Sequence, residues 1–65
     1  MTFAEAIPHL LKLHQIRKPH FNEGHYVALD ERNHSILTYF NKAGAVGPYE
    51  ITDEDLEDTI WEVVK

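Results

Sequence analysis

The chain contains no cysteine, and this limits how a protein of only 65 residues can stabilise a fold. A domain of this size buries only about 60% of the surface that its unfolded chain exposes, so its core alone gives little stability. Small domains usually add disulfides, a structural metal or association with other chains. Disulfides and thiolate zinc sites are excluded here. We therefore predict one domain, spanning 1–65, that assembles into a homo-oligomer.

The composition favours a globular protein with an acidic surface. Hydrophobic residues make up 43% and charged residues 26% of the chain, which is unlike a disordered segment. No apolar run approaches the roughly 20 residues of a membrane span, and no secretion signal is recognisable, so we expect no membrane partner and a cytoplasmic location. The net charge of −5 argues against DNA or RNA as partners, because binding to phosphates requires many lysines and arginines.

The opening segment "TFAEAIPHLLKL" predicts an N-terminal helix. Thr2 is a favourable N-cap, and Glu5 stands where it completes a capping box. Pro8 removes one backbone hydrogen bond, so we expect the helix to be kinked or loosened there. The apolar residues recur at helical spacing and predict one buried stripe. They are Phe3, Ala6, Ile7, Leu10 and Leu11.

Three segments then predict strands: "HQIRK", "HYVALD" and "HSILTYF". The last two are rich in β-branched and aromatic residues, and "DERN" between them is typical of a tight turn. The sequence therefore predicts a β-hairpin over residues 25–40. "NKAGAVGP" follows with two glycines and a proline, a composition that predicts an open loop.

A second, short helix is expected from Thr52, which is a good N-cap. Residues 53–55 place negative charge at the positive end of its dipole, Leu56 is expected to pack inward, and the helix should end near 58 or 59. "IWEVV" then predicts a last strand, with Trp61 and its neighbour two residues on facing the core.

The predicted order is α-β-β-β-(short β)-α-β, which is an α+β fold. The N-terminal helix packs on a small antiparallel sheet, and the second short helix precedes the last strand. Helices in this class cover one face of the sheet, so the other face must be polar or covered by further subunits.

Candidate metal and catalytic chemistry is weak. Five histidines are present, but no pair has the i, i+4 helical spacing of zinc enzymes, and we interpret them as surface groups. The acidic run 53–58 lacks the glycine of a calcium loop. We interpret this acidic run as the solvent-exposed N-terminus of a helix, with mimicry of DNA phosphates as the alternative. No nucleophile stands in a triad pattern and no phosphate-binding glycine motif occurs, so we predict no catalytic residue, no metal, no cofactor and no enzymatic activity.

The stretch "IRKPHFNEGHYVALD" has the parts of a nucleotide site. An aromatic ring such as Phe21 can stack on a base, the amide of Asn22 can read polar edges, and the guanidinium of Arg17 can pair with phosphate. Tyr49, after a proline in another loop, offers a second ring. The residues alone leave open whether Phe21 stacks on a base or closes the end of a small core.

Both ends of the chain resemble one family. The first thirty residues, from "MTFAEA" to "YVALD", are similar to the opening of the Thoeris anti-defence 2-like family of small phage and prophage proteins. Members start with a pattern like M-T-F-x-E-A-L, pass through V-R-R and reach a tryptophan followed by asparagine. Ile16, Arg17 and Lys18, and then Phe21 and Asn22, fall in that register. "PYEITDEDLEDTIWEVVK" resembles the closing pattern of Pro-Trp, a Ser or Thr, an acidic Asp-Leu helical turn and Trp-x-Val.

The resemblance implies a compact α+β protomer that forms homo-oligomers, typically tetramers, in the host bacterial cell. Characterised relatives are molecular sponges that bind a cyclic ADP-ribose isomer without cleaving it, and some also capture cyclic dinucleotides. This chain departs from the pattern at four residues and in the length of its middle region. Phe21 and Tyr49 replace tryptophans, Leu13 replaces the glycine that ends the first helix, and Pro8 interrupts that helix. An insertion between strands that longer members carry is missing.

The leading hypothesis is therefore phage counter-defence by sequestration of a small cyclic nucleotide signal. Two other readings remain open: an acidic protein that docks on and inhibits a host nuclease, as some anti-CRISPR proteins do, and a structural domain with no ligand. The expected ligand-binding residues are Arg17, Phe21, Asn22, Tyr49 and Thr52.

Overall fold

The computed structural model describes residues 1–64 and has the predicted α+β fold. An N-terminal helix packs on a five-stranded antiparallel sheet, and a second short helix precedes the last strand. Neither helix in this part of the chain is long and apolar enough to cross a membrane. The elements are α1 (Phe3–Leu11), β1 (Ile16–Arg17), β2 (Tyr26–Leu29), β3 (Leu37–Asn41), β4 (Gly44–Pro48), α2 (Asp53–Glu57) and β5 (Glu62–Val63).

Helix α1 begins with the predicted capping box. The side chain of Thr2 accepts a hydrogen bond from the Glu5 amide at 3.2 Å, and the Glu5 carboxylate accepts one from the Thr2 amide at 2.8 Å. The helix continues through Pro8 as a single element. Its buried stripe is narrower than predicted: Ile7 and Leu11 are exposed. The stripe consists of Phe3, Ala6 and Leu10.

Helix α1 ends with a Schellman motif that has leucine in the position glycine usually takes. The amide of Leu13 donates to the carbonyl of Leu10 at 2.9 Å, and that of His14 donates to the carbonyl of His9 at 3.0 Å. Leu13 adopts the left-handed conformation that closes such a motif, with φ of 64°. A side chain in this conformation is strained because its Cβ crowds the backbone.

The predicted hairpin forms, with a longer connection than expected. Strands β2 and β3 pair antiparallel from Tyr26 opposite Phe40 to Leu29 opposite Leu37. The strand predicted to start at 34 starts three residues later. The Asn33 side chain accepts a hydrogen bond from the Ser35 amide at 3.1 Å and holds that segment in a turn.

The segment 41–48, whose composition predicted an open loop, forms a second hairpin, and its strand is the short one that the predicted order placed before the second helix. The carboxamide oxygen of Asn41 accepts hydrogen bonds from the amides of Ala43 and Gly44, which reverses the chain. Residues 44–48 then form β4 and pair with β3, with an irregularity in register beside Tyr39 and Phe40. The composition misled the prediction because β4 is an edge strand, where proline and glycine are tolerated.

Helix α2 starts at the predicted N-cap, Thr52, and ends at Glu57. The prediction for Leu56 was wrong: this side chain is exposed, and Asp55 is the residue that α2 buries. Asp55 turns inward because its carboxylate pairs with the buried ammonium of Lys18. Trp61 is almost wholly buried and Val63 packs against the core, as the last-strand pattern predicted.

The sheet has the strand order β4-β3-β2-β1-β5, and its two faces differ. One face packs against α1 through a core that includes Ile16, Val27 and Trp61. Side chains alternate along a strand, so Tyr26, Ala28, Thr38 and Phe40 lie on the opposite face. No helix of the described chain covers that face.

Candidate functional site

The structure brings two of the five predicted site residues, Phe21 and Tyr49, into one aromatic cluster through a third ring. Phe21 lies in the loop between β1 and β2, and Tyr49 directly follows β4. Tyr39 of β3 contacts both: its ring centroid is 5.5 Å from that of Phe21 and 6.0 Å from that of Tyr49. We call these three rings the aromatic row. It connects segments that are 28 positions apart in the sequence.

The row rests on the core and is half-buried. Phe21 meets the buried ring of Trp61 edge-on, with centroids 6.1 Å apart, and Tyr49 packs against the same core. Spacings of about 4.5–7 Å are those of rings in direct contact. A planar ligand therefore does not fit between these rings, and its place would be on an outer ring face.

Arg17 lies beside the row and shapes the loop that carries Phe21. Its guanidinium donates a hydrogen bond to the Phe21 carbonyl at 2.6 Å and longer ones to the carbonyls of Lys18 and Pro19. It also lies 3.6 Å from the exposed carboxylate of Glu62. The arginine is thus held in place by three backbone carbonyls, and its charge is paired with the exposed carboxylate of Glu62.

The other two predicted residues are less closely tied to the rings. Asn22 is exposed, and its side-chain amide makes no hydrogen bond within residues 1–64; only its carbonyl is engaged, by the His25 amide at 3.0 Å. The Thr52 side chain accepts a hydrogen bond from the Asp55 amide at 3.2 Å, as the cap of α2. Asn22 is therefore available to a ligand, whereas Thr52 already has a structural function.

Beneath Tyr49 lies a buried group of charges. The ammonium of Lys18 contacts the carboxylate of Asp55 directly and that of Asp58 at 2.6 Å, and both Lys18 and Asp55 are about 3% exposed. The Tyr49 hydroxyl donates to Asp55 at 2.9 Å. Lys18 also lies 5.1 Å from the centre of the Trp61 ring, and the indole N–H donates to the Asp55 carbonyl at 3.0 Å. These contacts fix α2 to the end of β1.

The electrostatics of this group follow from its pairing. Burial disfavours the charged form of Lys18, but the hydrogen bonds to Asp55 and Asp58 outweigh it and raise the pKa of Lys18. Burial likewise opposes ionisation of Asp55, yet its hydrogen bonds with Lys18, Thr52 and Tyr49 hold its pKa below the ordinary value. Burial, and then the hydrogen bond to Asp55, raise the pKa of Tyr49 to about 12. Each group thus stays in its hydrogen-bonded form at neutral pH.

Two neighbours of the predicted residues escaped the sequence analysis. Tyr39 is the ring that joins Phe21 to Tyr49, and the imidazole of His25 lies 3.0 Å from its hydroxyl. The alternation of β3 places Tyr39 on the same face as Leu37, and that signal was available. No local pattern indicates that a loop histidine meets this tyrosine.

A cavity of about 470 Å³ opens on the other face of the sheet and includes none of the five predicted residues. Its lining includes the stacked pair Tyr26 and Phe40, whose ring centroids are 4.9 Å apart and whose planes are nearly parallel. The lining residues are Leu13, Gln15, Tyr26, Ala28, Leu29, Asp30, Glu31, Arg32, Phe40 and Ala45.

Comparisons with protein-family models, with curated proteins and with solved structures each gave no match to this chain. In the described part of the chain, no three histidine, aspartate or glutamate side chains are placed to hold a metal ion together. Around the row stand three aromatic rings, the exposed amide of Asn22 and the guanidinium of Arg17. Rings can stack on a planar group, and the amide and guanidinium can form hydrogen bonds.

Proposed function

We propose that this protein binds a small cyclic nucleotide signal and counters a host defence system by holding the signal without cleaving it. The observation that carries the proposal is the contact of Phe21 and Tyr49 with the shared ring of Tyr39. The two rings were singled out from opposite parts of the sequence, and their convergence in one half-buried cluster beside Arg17 supports a common site.

The binding mode follows from the geometry of the row. A base stacks on an outer face of Phe21 or Tyr49, since the rings are in contact with one another. Arg17 supplies positive charge for a phosphate, and the exposed amide of Asn22 supplies hydrogen bonds to polar ring edges. Thr52 contributes by ordering the segment after Tyr49.

Sequestration needs no turnover. It requires a dissociation constant below the concentration of the signal in the cell, and enough protein to bind most of it. We further propose that the protomer assembles into a homo-oligomer, as its resemblance to the Thoeris anti-defence 2-like family implies, and that it acts in the host cytoplasm.

The test uses a matched pair of phenylalanines: Phe21, in the loop beside the aromatic row, and Phe40, on the opposite face of the sheet. Native mass spectrometry of the wild-type protein with cyclic ADP-ribose isomers and cyclic dinucleotides should show discrete nucleotide adducts. Phe21→Leu keeps apolar volume but removes the aromatic face, and Phe21→Ala removes the side chain; both should abolish the adducts and leave the oligomer intact. Phe40→Leu, on the opposite face, should retain them. Unchanged binding by both Phe21 variants would refute the site.

One observation favours a second candidate function, an acidic inhibitor that docks on a basic nucleic-acid-binding surface. The carboxylates of Asp53, Glu54 and Glu57 on α2 are exposed, and none has a cationic partner within residues 1–64. Docking through them should weaken steeply as ionic strength rises, whereas a stacked nucleotide should be less affected. Capture of a host nuclease at low salt, lost in an Asp53→Asn, Glu54→Gln, Glu57→Gln variant, would support this candidate.

A further inference from the structure

The sheet face opposite α1 carries the cavity around Tyr26 and Phe40, and the nucleotide proposal does not use it. Two large rings stand beside two alanines: Ala28 follows Tyr26 along the same face of β2, and Ala45 of β4 pairs with Phe40. The difference in side-chain size between neighbouring positions leaves the hollow. Its volume of about 470 Å³ lies within the roughly 300–1,000 Å³ of small-molecule sites.

The rim of the hollow carries polar groups that the fold leaves unpaired. The hydroxyl of Tyr26, the amide of Gln15, the carboxylate of Glu31 and the guanidinium of Arg32 have no hydrogen-bond partner in the described chain. One carboxylate oxygen of Asp30 accepts a hydrogen bond from the Arg32 backbone amide at 2.7 Å, and its second oxygen is free to accept another. A ligand here would meet both acceptors and donors.

The charges of the rim discriminate between ligands. Asp30 and Glu31 place two carboxylates against the one cation of Arg32, so the lining is net negative. A phosphate would be opposed by this field. The same carboxylates would accept hydrogen bonds from the hydroxyl groups of a sugar. A planar ring would pack against the stacked pair of Tyr26 and Phe40.

We infer that this cavity binds an uncharged nucleoside-like molecule, with its ring on the outer face of the stacked pair at Phe40 and its hydroxyl groups toward Asp30 and Glu31. The site is on the opposite face of the sheet from the aromatic row, so the inference does not depend on the proposed function.

The experiment is an amide NMR titration of the full chain with adenosine and with adenosine monophosphate. Adenosine should shift the amides of Ala28, Phe40 and Ala45 saturably, and adenosine monophosphate should bind more weakly. Phe40→Leu removes the stacking face and should lower the affinity for adenosine by about fivefold or more. Phe21→Leu should leave the adenosine-induced shifts of Ala28, Phe40 and Ala45 unchanged, which separates this site from the aromatic row.

A matched pair of alanine substitutions tests occupancy of the hollow itself. Ala45→Leu fills it from an exposed position and should also weaken adenosine about fivefold or more, whereas Ala43→Leu, in the neighbouring turn outside the lining, should not. Equal affinity in the Ala45 and Ala43 variants would overturn the inference, as would preference for the monophosphate. It would also fail if the same amides shift on simple dilution without adenosine, since the face would then be an interface between copies of the chain.

Discussion

The hydroxyl of Tyr49 donates a 2.9 Å hydrogen bond to the buried carboxylate of Asp55. This bond links the aromatic row to the charge group beneath it, because Asp55 also pairs with the buried ammonium of Lys18. The ring orientation at the candidate site therefore depends on a buried ion pair.

Replacing Lys18 with methionine should strongly destabilise the fold. The substitution keeps apolar volume but leaves Asp55 buried without its cation, a change that typically costs about 3–5 kcal/mol. This is a large part of the stability of a small domain. Urea denaturation of Lys18→Met provides the measurement, with Lys42→Met, at an exposed lysine, as the control that should change stability by only about 0.5 kcal/mol. Equal midpoints for the two variants would contradict the structural role of the ion pair.

The free energy of unfolding should fall at both extremes of pH. The lowered pKa of Asp55 gives stability that is present above its unfolded value of about 3.9 and lost as pH falls through the folded value. The pKa of Tyr49 is raised from 10.0 to about 12, so its contribution is present below pH 10 and is lost as pH rises toward 12. Urea midpoints across pH should show both slopes. Tyr49→Phe should flatten the alkaline slope, and an unchanged slope would contradict this assignment.

Replacing Leu13 with glycine should stabilise the protein. Leu13 closes the Schellman motif of α1 at a φ of 64°, where a Cβ is strained by about 1–2 kcal/mol. Glycine removes that strain but makes the unfolded chain more flexible, so the net gain should be about 0.5–1 kcal/mol. A thermal melt measures the difference. Lys12→Gly, at the neighbouring residue with negative φ, should instead lower the melting temperature.

Gly24, in the loop that also carries Phe21, should not tolerate a side chain. Its φ is +80°, and an added Cβ would lie 2.7 Å from a side-chain carbon of Lys42. Gly24→Ala should cost about 1 kcal/mol or more through backbone strain. Gly47→Ala is the matched control, because its φ is ordinary and no atom lies within 4 Å of the added Cβ. A larger loss of stability at Gly47 would contradict the loop geometry.

Local signals allowed much of the fold to be predicted. The two capping boxes, at Thr2 and Thr52, depend on residues three positions apart, and both form. The β2–β3 hairpin is likewise predicted from a short segment in which apolar and polar residues alternate.

The features that escaped prediction depend on distant contacts. Leu56 was expected inside and Asp55 outside, but Lys18, from the other end of the chain, reverses the preference by pairing with the carboxylate. Tyr39 joins the predicted rings only because β3 lies between their segments in space. The pairing of Lys18 with Asp55 leaves no pattern at fixed spacing in the sequence. The alternation of β3 indicates which face Tyr39 occupies, but not which rings it contacts there.

Nucleotide binding at the aromatic row is tested most sharply by comparing the Phe21→Leu and Phe40→Leu proteins under identical conditions. Native mass spectrometry with cyclic ADP-ribose isomers and cyclic dinucleotides should show adducts for the wild-type and Phe40→Leu proteins and none for Phe21→Leu. Adducts retained by Phe21→Leu and lost by Phe40→Leu would contradict nucleotide binding at the aromatic row and place the site on the opposite face of the sheet. A wild-type protein that binds nothing in the panel would refute nucleotide sequestration itself.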